Sequence, residues 1–560
     1  MIRKRWIDMA AIVAICVAVL FSMTLVYLPE VFALESKEVS KQYETKLFDK
    51  ETIMSVDILM SDEEWQDMLG NAAAEEYYCC DVVVNGVTYY NVGIRPKGNT
   101  SLSQIVSDDT TDRYSFKLEF DHYDSTQTCM GLDKLVLNNM MSDATYRKEY
   151  ISYDIMNYLG VETSLYSYAD VSRNGETWGL YLALEAVEES YAERVFGSSY
   201  GNLYKPDSMD MGGGGGGKGG FGSGDASKLA YIDDDVDSYS VIFDSAVFEP
   251  TAEDKAKLIE ALKNISEGMN LEEYVDVDAM LRYIASNTFL LNDDGYFGTM
   301  VHNYYLYEED GKLTMLPWDY NLAFGGFQSH DAGSLINRGI DDVVSGNLEE
   351  RPMVAKLLEV EEYREQYYAW LEELVSGYFE SGHFAEVMDM LDELLDSYVA
   401  EDPTAFYTYE EYTEAKEMLR VFCEKRAESI RKQLDGSLAK TASEQTSETK
   451  VETSDVTITV MGTQFGGGGH GMAGGRDGFG QKNESTDAGG QTPPEGMEMP
   501  ENMTPPEDMD FSDMDFSDMK FPGMESQQNN DMTALIWLGI SAAVMAIGLL
   551  FVKLYPRSRY

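Results

Sequence analysis

Basic residues are scarce. The chain carries 42 Lys and Arg against 99 Asp and Glu in 560 residues, a formal net charge of −57. Phosphate recognition needs clustered cations to displace counterions, so this balance excludes a nucleic-acid binder. Cysteine is rarer still. The five, Cys16, Cys79, Cys80, Cys129 and Cys423, lack the paired spacing of a zinc knuckle or a redox CxxC, and with them goes a disulfide scaffold. Cys79 and Cys80 adjoin in an alternating stretch, so as strand neighbours they face opposite ways and one enters the core. A single bridge from either to Cys129 is left open.

Apolar runs long enough to cross a bilayer occur at two places, 9–28 and 532–552. Each is uncharged and about the 20 residues such a span needs. Arg3, Lys4 and Arg5 precede the first, while Lys553, Arg557 and Arg559 follow the second. The positive-inside rule then puts both tips in the cytoplasm and everything between them outside. Residues 1–33 read equally as a signal peptide cut near Ala33, because a basic start before an apolar run also fits export. Either way the folded part is extracytoplasmic and held at the cell membrane.

Hydrophobic residues make up 44% of the chain, with 37 Tyr, enough for a sizeable core and against a collagen-like or wholly disordered chain. From about Val451 the composition changes to Gly runs, Pro pairs and a near-repeat from Asp508, Asp-Met-Asp-Phe-Ser-Asp-Met-Asp-Phe-Ser-Asp-Met-Lys-Phe. Such sequence buries too little apolar area to offset its ordering entropy, and 437–530 reads as a disordered acidic tether. The alternative gives its Met and Phe repeats a binding role and its Ser residues a phospho-acceptor role. A second Gly tract, Gly212 to Gly217, marks a surface-loop insert at about 211–225.

The folded domain is 46–436. Ser61-Asp62-Glu63-Glu64 has the form of a capping box. Segments 77–84 and 87–94 flank Asn85-Gly86, a hairpin signal; 165–171 and 178–184 flank Asn174-Gly175 likewise. Strands are expected at 115–120 and 132–137, and helices at 143–159, 188–196, 252–265 and 275–291. A further hairpin, 302–307 with 312–316, precedes a helical stretch from 353 to 434. Strands early and helices late predict an α+β fold of two lobes, a strand-rich N-lobe and a helical C-lobe, flanked by transmembrane helices.

The densest polar constellation is Asn292-Asp293-Asp294-Gly295, then His302-Asn303, then Pro317-Trp318-Asp319-Tyr320-Asn321. A tight hairpin brings its ends together, so Asn303 and Asp319 should be neighbours. With Asp294 nearby, their oxygens suit a divalent cation such as Mg²⁺ holding phosphates. The plainer alternative is that Asp294 and Asp319 cap turns. The element order, a strand bearing Lys117, a helix, a hairpin, the linker Glu185-Ala186-Val187, helices and an Asp/Asn loop leading to an Asp-terminated hairpin, is that of a protein kinase. There a strand Lys holds nucleotide phosphates, an Asp orients the accepting hydroxyl, and Asn with Asp hold metal. Lys117 is otherwise an edge lysine.

The chain also resembles the CotH-type kinases, related to spore-coat protein H, an atypical protein-kinase-like family. The resemblance rests on Gly93-Ile94-Arg95-Pro96-Lys97-Gly98-Asn99-Thr100-Ser101, Phe116-Lys117-Leu118-Glu119-Phe120, Trp178-Gly179-Leu180-Tyr181-Leu182 with Glu185, and Asn303-Tyr304-Tyr305 through Pro317-Trp318-Asp319-Tyr320-Asn321-Leu322-Ala323-Phe324-Gly325. It implies a surface kinase that uses ATP and Mg²⁺ (or Mn²⁺) to phosphorylate Ser in coat proteins. It further implies Lys117 on the nucleotide phosphates, Asp294 as catalytic base, and Asn303 with Asp319 for metal. The glycine-rich loop of ordinary kinases is missing, and the Arg95–Ser101 stretch stands in for it, with Arg95, Lys97, Gly98 and Ser101 as nucleotide-binding candidates; a surface turn is the alternative. Glu149, either a partner of Lys117 or, more in keeping with its place on a helix, a solvated carboxylate, and Glu185 complete that set. Eight residues separate Asp294 from Asn303, where kinases have about four, so the base is Asp294 or Asp293. The rival reading is a surface adhesion or scaffold protein on a kinase-like frame, without catalysis.

Overall fold

The computed structural model describes residues 42–206, 224–328 and 331–464, all within the unit Met1–Arg476. Seven strands occupy its first part: β1 (Met54–Leu59), β2 (Tyr78–Val84), β3 (Val87–Lys97), β4 (Ser115–Glu119), β5 (Lys134–Asn138), β6 (Tyr166–Arg173) and β7 (Glu176–Glu185). Four of them, β2 with β3 and β6 with β7, form hairpins at the expected turns, where Asn85 and Gly86 (φ 47° and 80°) and Asn174 and Gly175 (φ 52° and 81°) take the left-handed conformations a two-residue hairpin demands. The strands do not stop at an open sheet. β1 pairs antiparallel with β2 and parallel with β6, closing a barrel in the order β1-β2-β3-β4-β5-β7-β6. Closure removes both sheet edges.

Alternation along each strand divides the side chains between two cores. Ile94, Phe116, Leu118, Leu135 and Leu137 fill the barrel with Trp65. Val136, Tyr166, Tyr168, Leu182 and Leu184 face outward, into a second core shared with the helices. Trp65 comes from α1 (Asp62–Gly70), whose Ser61 cap accepts the Glu64 N–H at 3.3 Å, as the sequence signal indicated. A short helix, α2 (Thr100–Val106), follows β3. The next, α3 (Lys148–Tyr158), starts later than the apolar periodicity suggested. Asp143 accepts the backbone N–H groups of Thr145 and Lys148, which folds 143–147 into a turn instead. α4 (Glu189–Phe196) follows β7.

The helical part begins with α5 (Ala252–Glu267), opened by a Thr251–Asp254 capping box, and α6 (Val277–Leu290). The hairpin of β9 (Tyr304–Glu309) and β10 (Lys312–Pro317) follows, with β8 (Asn202–Tyr204) added on the β9 side. The long helical stretch is interrupted. It comprises α7 (Pro352–Glu359), α8 (Glu361–Glu373), a π-helical turn at Leu374–Glu380, α9 (His383–Glu401) and α10 (Tyr409–Leu434). Gly382, at φ 93°, makes one of these breaks.

Packed chain continues beyond Gly436, where a disordered tether was expected to start. Leu438, Val451, Val456, Ile458 and Met461 are buried, and Asn337 holds Val451 by both its N–H and its C=O. A few apolar residues suffice here because the helices already provide the surface that receives them. The Gly-rich insert lies mostly, and the two apolar segments 9–28 and 532–552 wholly, outside the described residues. Among the described residues no helix is long and apolar enough to cross a membrane. Cys79 is exposed, Cys80, Cys129 and Cys423 are buried, and all four are free thiols, so the bridge to Cys129 is not formed.

Candidate functional site

Outward-facing positions of β3, β4 and β5 form one wall of a cleft of about 1640 Å³. In register, Arg95 lies opposite Lys117, Lys97 opposite Ser115, and Lys117 opposite Val136. The strand period therefore puts Arg95, Lys97, Lys117, Val136 and Asn138 on the same wall, while their neighbours fill the barrel. The facing wall is the loop after α6 with the two ends of the β9–β10 hairpin. Tyr304 pairs with Pro317, so Asn303 and Asp319 lie just past the last rung and both line the cleft with Asp294.

Asn303 donates to the Asp294 carbonyl at 2.9 Å and to its Oδ2 at 3.1 Å. His302 Nε2 stands 3.4 Å from Asp294 Oδ1, and Asn292 donates to the Asp319 carbonyl at 3.3 Å. Backbone strain concentrates here: Val301, Asn303 and Asp319 have φ of 55°, 56° and 60°. Left-handed non-glycine residues, a β-branched one above all, persist where surrounding contacts over-determine them, a pattern that marks functional sites. The choice between neighbouring aspartates is also made by geometry. Asp293 turns away, held by Arg338 at 2.6 and 2.8 Å and by Ser345 at 2.7 Å, and Asp294 faces the cleft.

The lysines are arranged otherwise than expected. Lys117 lines the cleft, but its ammonium pairs with Glu188, whose other oxygen takes Lys134 at 3.3 Å. It does not pair with Glu149. Glu149, on the first turn of α3, accepts from Asn138 at 2.9 Å, Tyr153 at 3.2 Å and the Tyr320 N–H at 3.4 Å. Lys97 is the lysine beside it: its Nζ donates to Asn138 Oδ1 at 3.0 Å and lies 5.5 Å from the Trp318 ring centre. Burial pulls the Lys97 ammonium below its ordinary pKa, against the opposing pull of Asp319 and then Glu149. Asn138 thus bridges Lys97 to Glu149. Lys205 reaches the same place, 5.8 Å from the Trp318 and Tyr305 ring centres.

Arg95, Gly98 and Ser101 line the cleft, with Arg95 paired to Glu75. Glu185 does not. It is fully buried, accepting from Arg194 at 2.6 to 3.1 Å and from Tyr43 at 2.7 Å. As the last residue of β7 it points its carboxylate to the far side of the strand, a structural ion pair rather than a nucleotide contact. Asn138 and Lys205 escaped the sequence reading. Asn138 carried a signal, as a polar residue closing an apolar strand, whereas nothing local sets Lys205 apart.

Burial, and then the Asp319 charge, push Asp294 up to about 8; the same two causes raise Glu149 to about 7. Two buried carboxyls that both feel the charge of a third mark a place short of a cation. Among the described residues no group of three His, Cys, Asp or Glu side chains forms a ready metal cage. The Asp319 carboxylate and the Asn303 carboxamide would fit instead a Mg²⁺ that keeps phosphate oxygens among its ligands. A raised carboxyl pKa means the folded state holds the proton more tightly, so its stabilising contribution is present below about pH 4 and lost as pH rises through about 8. The metal-free thermal midpoint should therefore fall by a few degrees between about pH 5 and 9. Asp294→Asn should flatten much of that slope, with the other raised carboxyls, Glu149, Asp143 and Glu162 among them, supplying the rest; an unchanged slope in the variant would remove Asp294 as its source.

A family model described as CotH kinase protein matches residues 94–430. The chain belongs to the CotH kinase family. Its similarity to Inner spore coat protein H of Bacillus subtilis (strain 168) is 24% identity over 315 residues, covering 55% of this chain and 80% of that protein. The CotH match takes in Arg95, Lys97, Lys117, Glu149, Asp294, Asn303 and Asp319. It starts within β3 and ends within α10, so β1, β2 and the packed segment after Gly436 lie outside the matched range.

Proposed function

We propose that this CotH-family chain is an extracytoplasmic, membrane-anchored protein kinase that transfers the γ-phosphate of ATP to Ser (or Thr) of surface or coat proteins. The observation that carries the reading is the meeting of Lys97 on β3 with Asp294, Asn303 and Asp319 in a single cleft. A nucleotide site needs an apolar slot for the base and cations for the phosphates. Val136, Met141, Val187 and Leu322 provide the first, and Lys97 with Lys205 the second. Lys97 takes the phosphate role that strand position alone suggested for Lys117. Glu149 orients it through Asn138, and Asp294 accepts the proton of the attacking hydroxyl. Asp319 and Asn303 would hold Mg²⁺ or Mn²⁺, which when bound neutralises phosphate charge.

The test is incubation of the purified protein with labelled ATP and Mg²⁺ or Mn²⁺, with and without chelator. Metal-dependent label on serine supports the kinase, together with a thermal midpoint raised by several degrees in saturating nucleotide and metal. No shift and no label overturns it. Partner binding that ignores nucleotide and metal would leave the scaffold reading in its place.

A further inference from the structure

The segment after α10 runs back along the helices to the cleft. Lys425 holds the Glu452 carbonyl at 2.8 Å on the way, and Ile458 and Met461 are buried. Residues 461–464 then touch both sides of the site. On one side, the Ala144 N–H donates to the Met461 carbonyl at 3.1 Å, and the Lys148 ammonium donates to the Gly462 carbonyl at 2.5 Å and to the Ser142 carbonyl at 3.1 Å. On the other, the Gln464 N–H donates to the Gly326 carbonyl at 2.8 Å, and the Gln464 carbonyl accepts the Gln328 N–H at 3.2 Å, in the stretch that follows Asp319. Gln464 lines the cleft, as do Ser142 and Phe327. The fit at Gly462 has no slack: a Cβ there would meet the Ser142 carbonyl oxygen at 2.6 Å and the Ala144 nitrogen at 2.8 Å, and its φ of 83° also favours glycine.

Lys148 and Glu149 are the first two residues of α3. Successive helical residues point about 100° apart, so one turn can be tied to this segment through Lys148 and reach the site through Glu149. Lys148 is fully buried, and a buried ammonium is costly unless its donors are satisfied, which makes the two carbonyls it holds a firm tie. Arg147 fastens the start of α3 to Asp392 of α9 at 2.7 Å, and Arg282 of α6 fastens its end at the Leu159 carbonyl at 2.8 Å. Neither of those ties reaches the chain after Asp319.

We propose that residues 461–464 form a clasp that fixes the first turn of α3 against the chain after Asp319, and so act as positioning residues for Glu149 and, through Asn138, for Lys97. The proposal rests on the kinase reading above and names what holds its site in register. A kinase transfers phosphate only when the helix carboxylate that orients its lysine is in place. Here that placement is supplied by a segment beyond the range the CotH model matches.

The experiment measures kcat/KM for ATP on the full-length protein, with Mg²⁺ and an added serine-rich protein as acceptor. Gly462→Val, which drives the clasp off Ser142, should lower it about 10–10²-fold, with the nucleotide-free thermal midpoint within a few degrees of the parent's. Lys148→Met cuts the same tie without altering the backbone of the segment; it should act alike, and it carries the test if the valine variant does not fold. In a Glu149→Ala background either change should cost less than about twofold more, because the residue they position is gone. Losses that multiply overturn the clasp, since it would then act elsewhere than through Glu149, and so does an unchanged kcat/KM in the single variants. In both cases transfer by the parent protein leaves the kinase standing. A parent that labels no acceptor overturns both readings.

Discussion

Lys97→Met should lower kcat/KM for ATP by about 10²–10³-fold, while Lys117→Met should cost about tenfold or less. Both lysines stand on adjacent strands of the same wall, two residues out of register. Their partners differ. Lys97 is held by Asn138 beside Glu149 and feels the Asp319 charge, so its ammonium is aimed at the place where phosphate charge would gather. Lys117 is neutralised by Glu188, at the start of α4. A desolvated donor in a preorganised site acts on transition-state charge far more strongly than one already paired at the margin. Steady-state kinetics on both variants, with nucleotide-free thermal midpoints as a check on folding, decide the matter. The reverse ranking would return the phosphate role to Lys117.

Asp402→Ala should be among the most destabilising single changes in the chain, by about 3–5 kcal/mol. The side chains of Asp402 and Arg113 are both fully buried. Arg113 donates to both Asp402 oxygens at 2.8 and 2.9 Å, to Thr404 at 2.7 Å, to the Asn139 carbonyl at 3.1 Å and to the Leu180 carbonyl. Asp402 also accepts the Leu180 N–H at 3.0 Å. This network ties the loop between α9 and α10 to the barrel. Gly179 leaves room for it, since a Cβ there would sit 2.5 Å from Arg113 Nη1 and 2.6 Å from Asp402 Oδ1. Removing the aspartate strands a cation in the interior, whereas removing both charges together, Arg113→Met with Asp402→Leu, should recover a good part of the loss. Urea midpoints measure both. For contrast, breaking the exposed Lys432–Glu428 pair should change stability by well under 1 kcal/mol. A single Asp402→Ala as mild as that would mean the tie contributes little.

Elements written in contiguous residues were legible beforehand. The Asn-Gly turns, the Ser61 cap and the β9–β10 hairpin each depend on a few neighbours, and the hairpin alone brings Asn303 and Asp319 together. The α3 start was misplaced because the Asp143 side chain competes with the helix for backbone N–H groups. Glu149, Glu185 and Glu188 look alike as carboxylates near element ends. One bridges to the cleft lysine, one is sunk against Arg194, and one neutralises Lys117. Nothing in their immediate sequence distinguishes these fates.

The sequence by itself determined the acidic character of the chain, its strand-first and helix-later order, its family, and the local grouping of Asp294, Asn303 and Asp319. The acidity follows from composition, the element order from local pattern, the family from the resemblance its motifs carry, and the grouping from a loop and hairpin that span 25 positions. Tertiary structure alone decided that the strands close into a barrel, that Lys97 rather than Lys117 meets the carboxylates, that Asp293 is spent on Arg338, and that the chain after α10 returns to the rim of the cleft. Those outcomes turn on burial and register among residues as far apart as Arg113 and Asp402, separated by 289 positions. Which charge finds a partner, and which is left facing the cleft, is settled only when those distant surfaces pack.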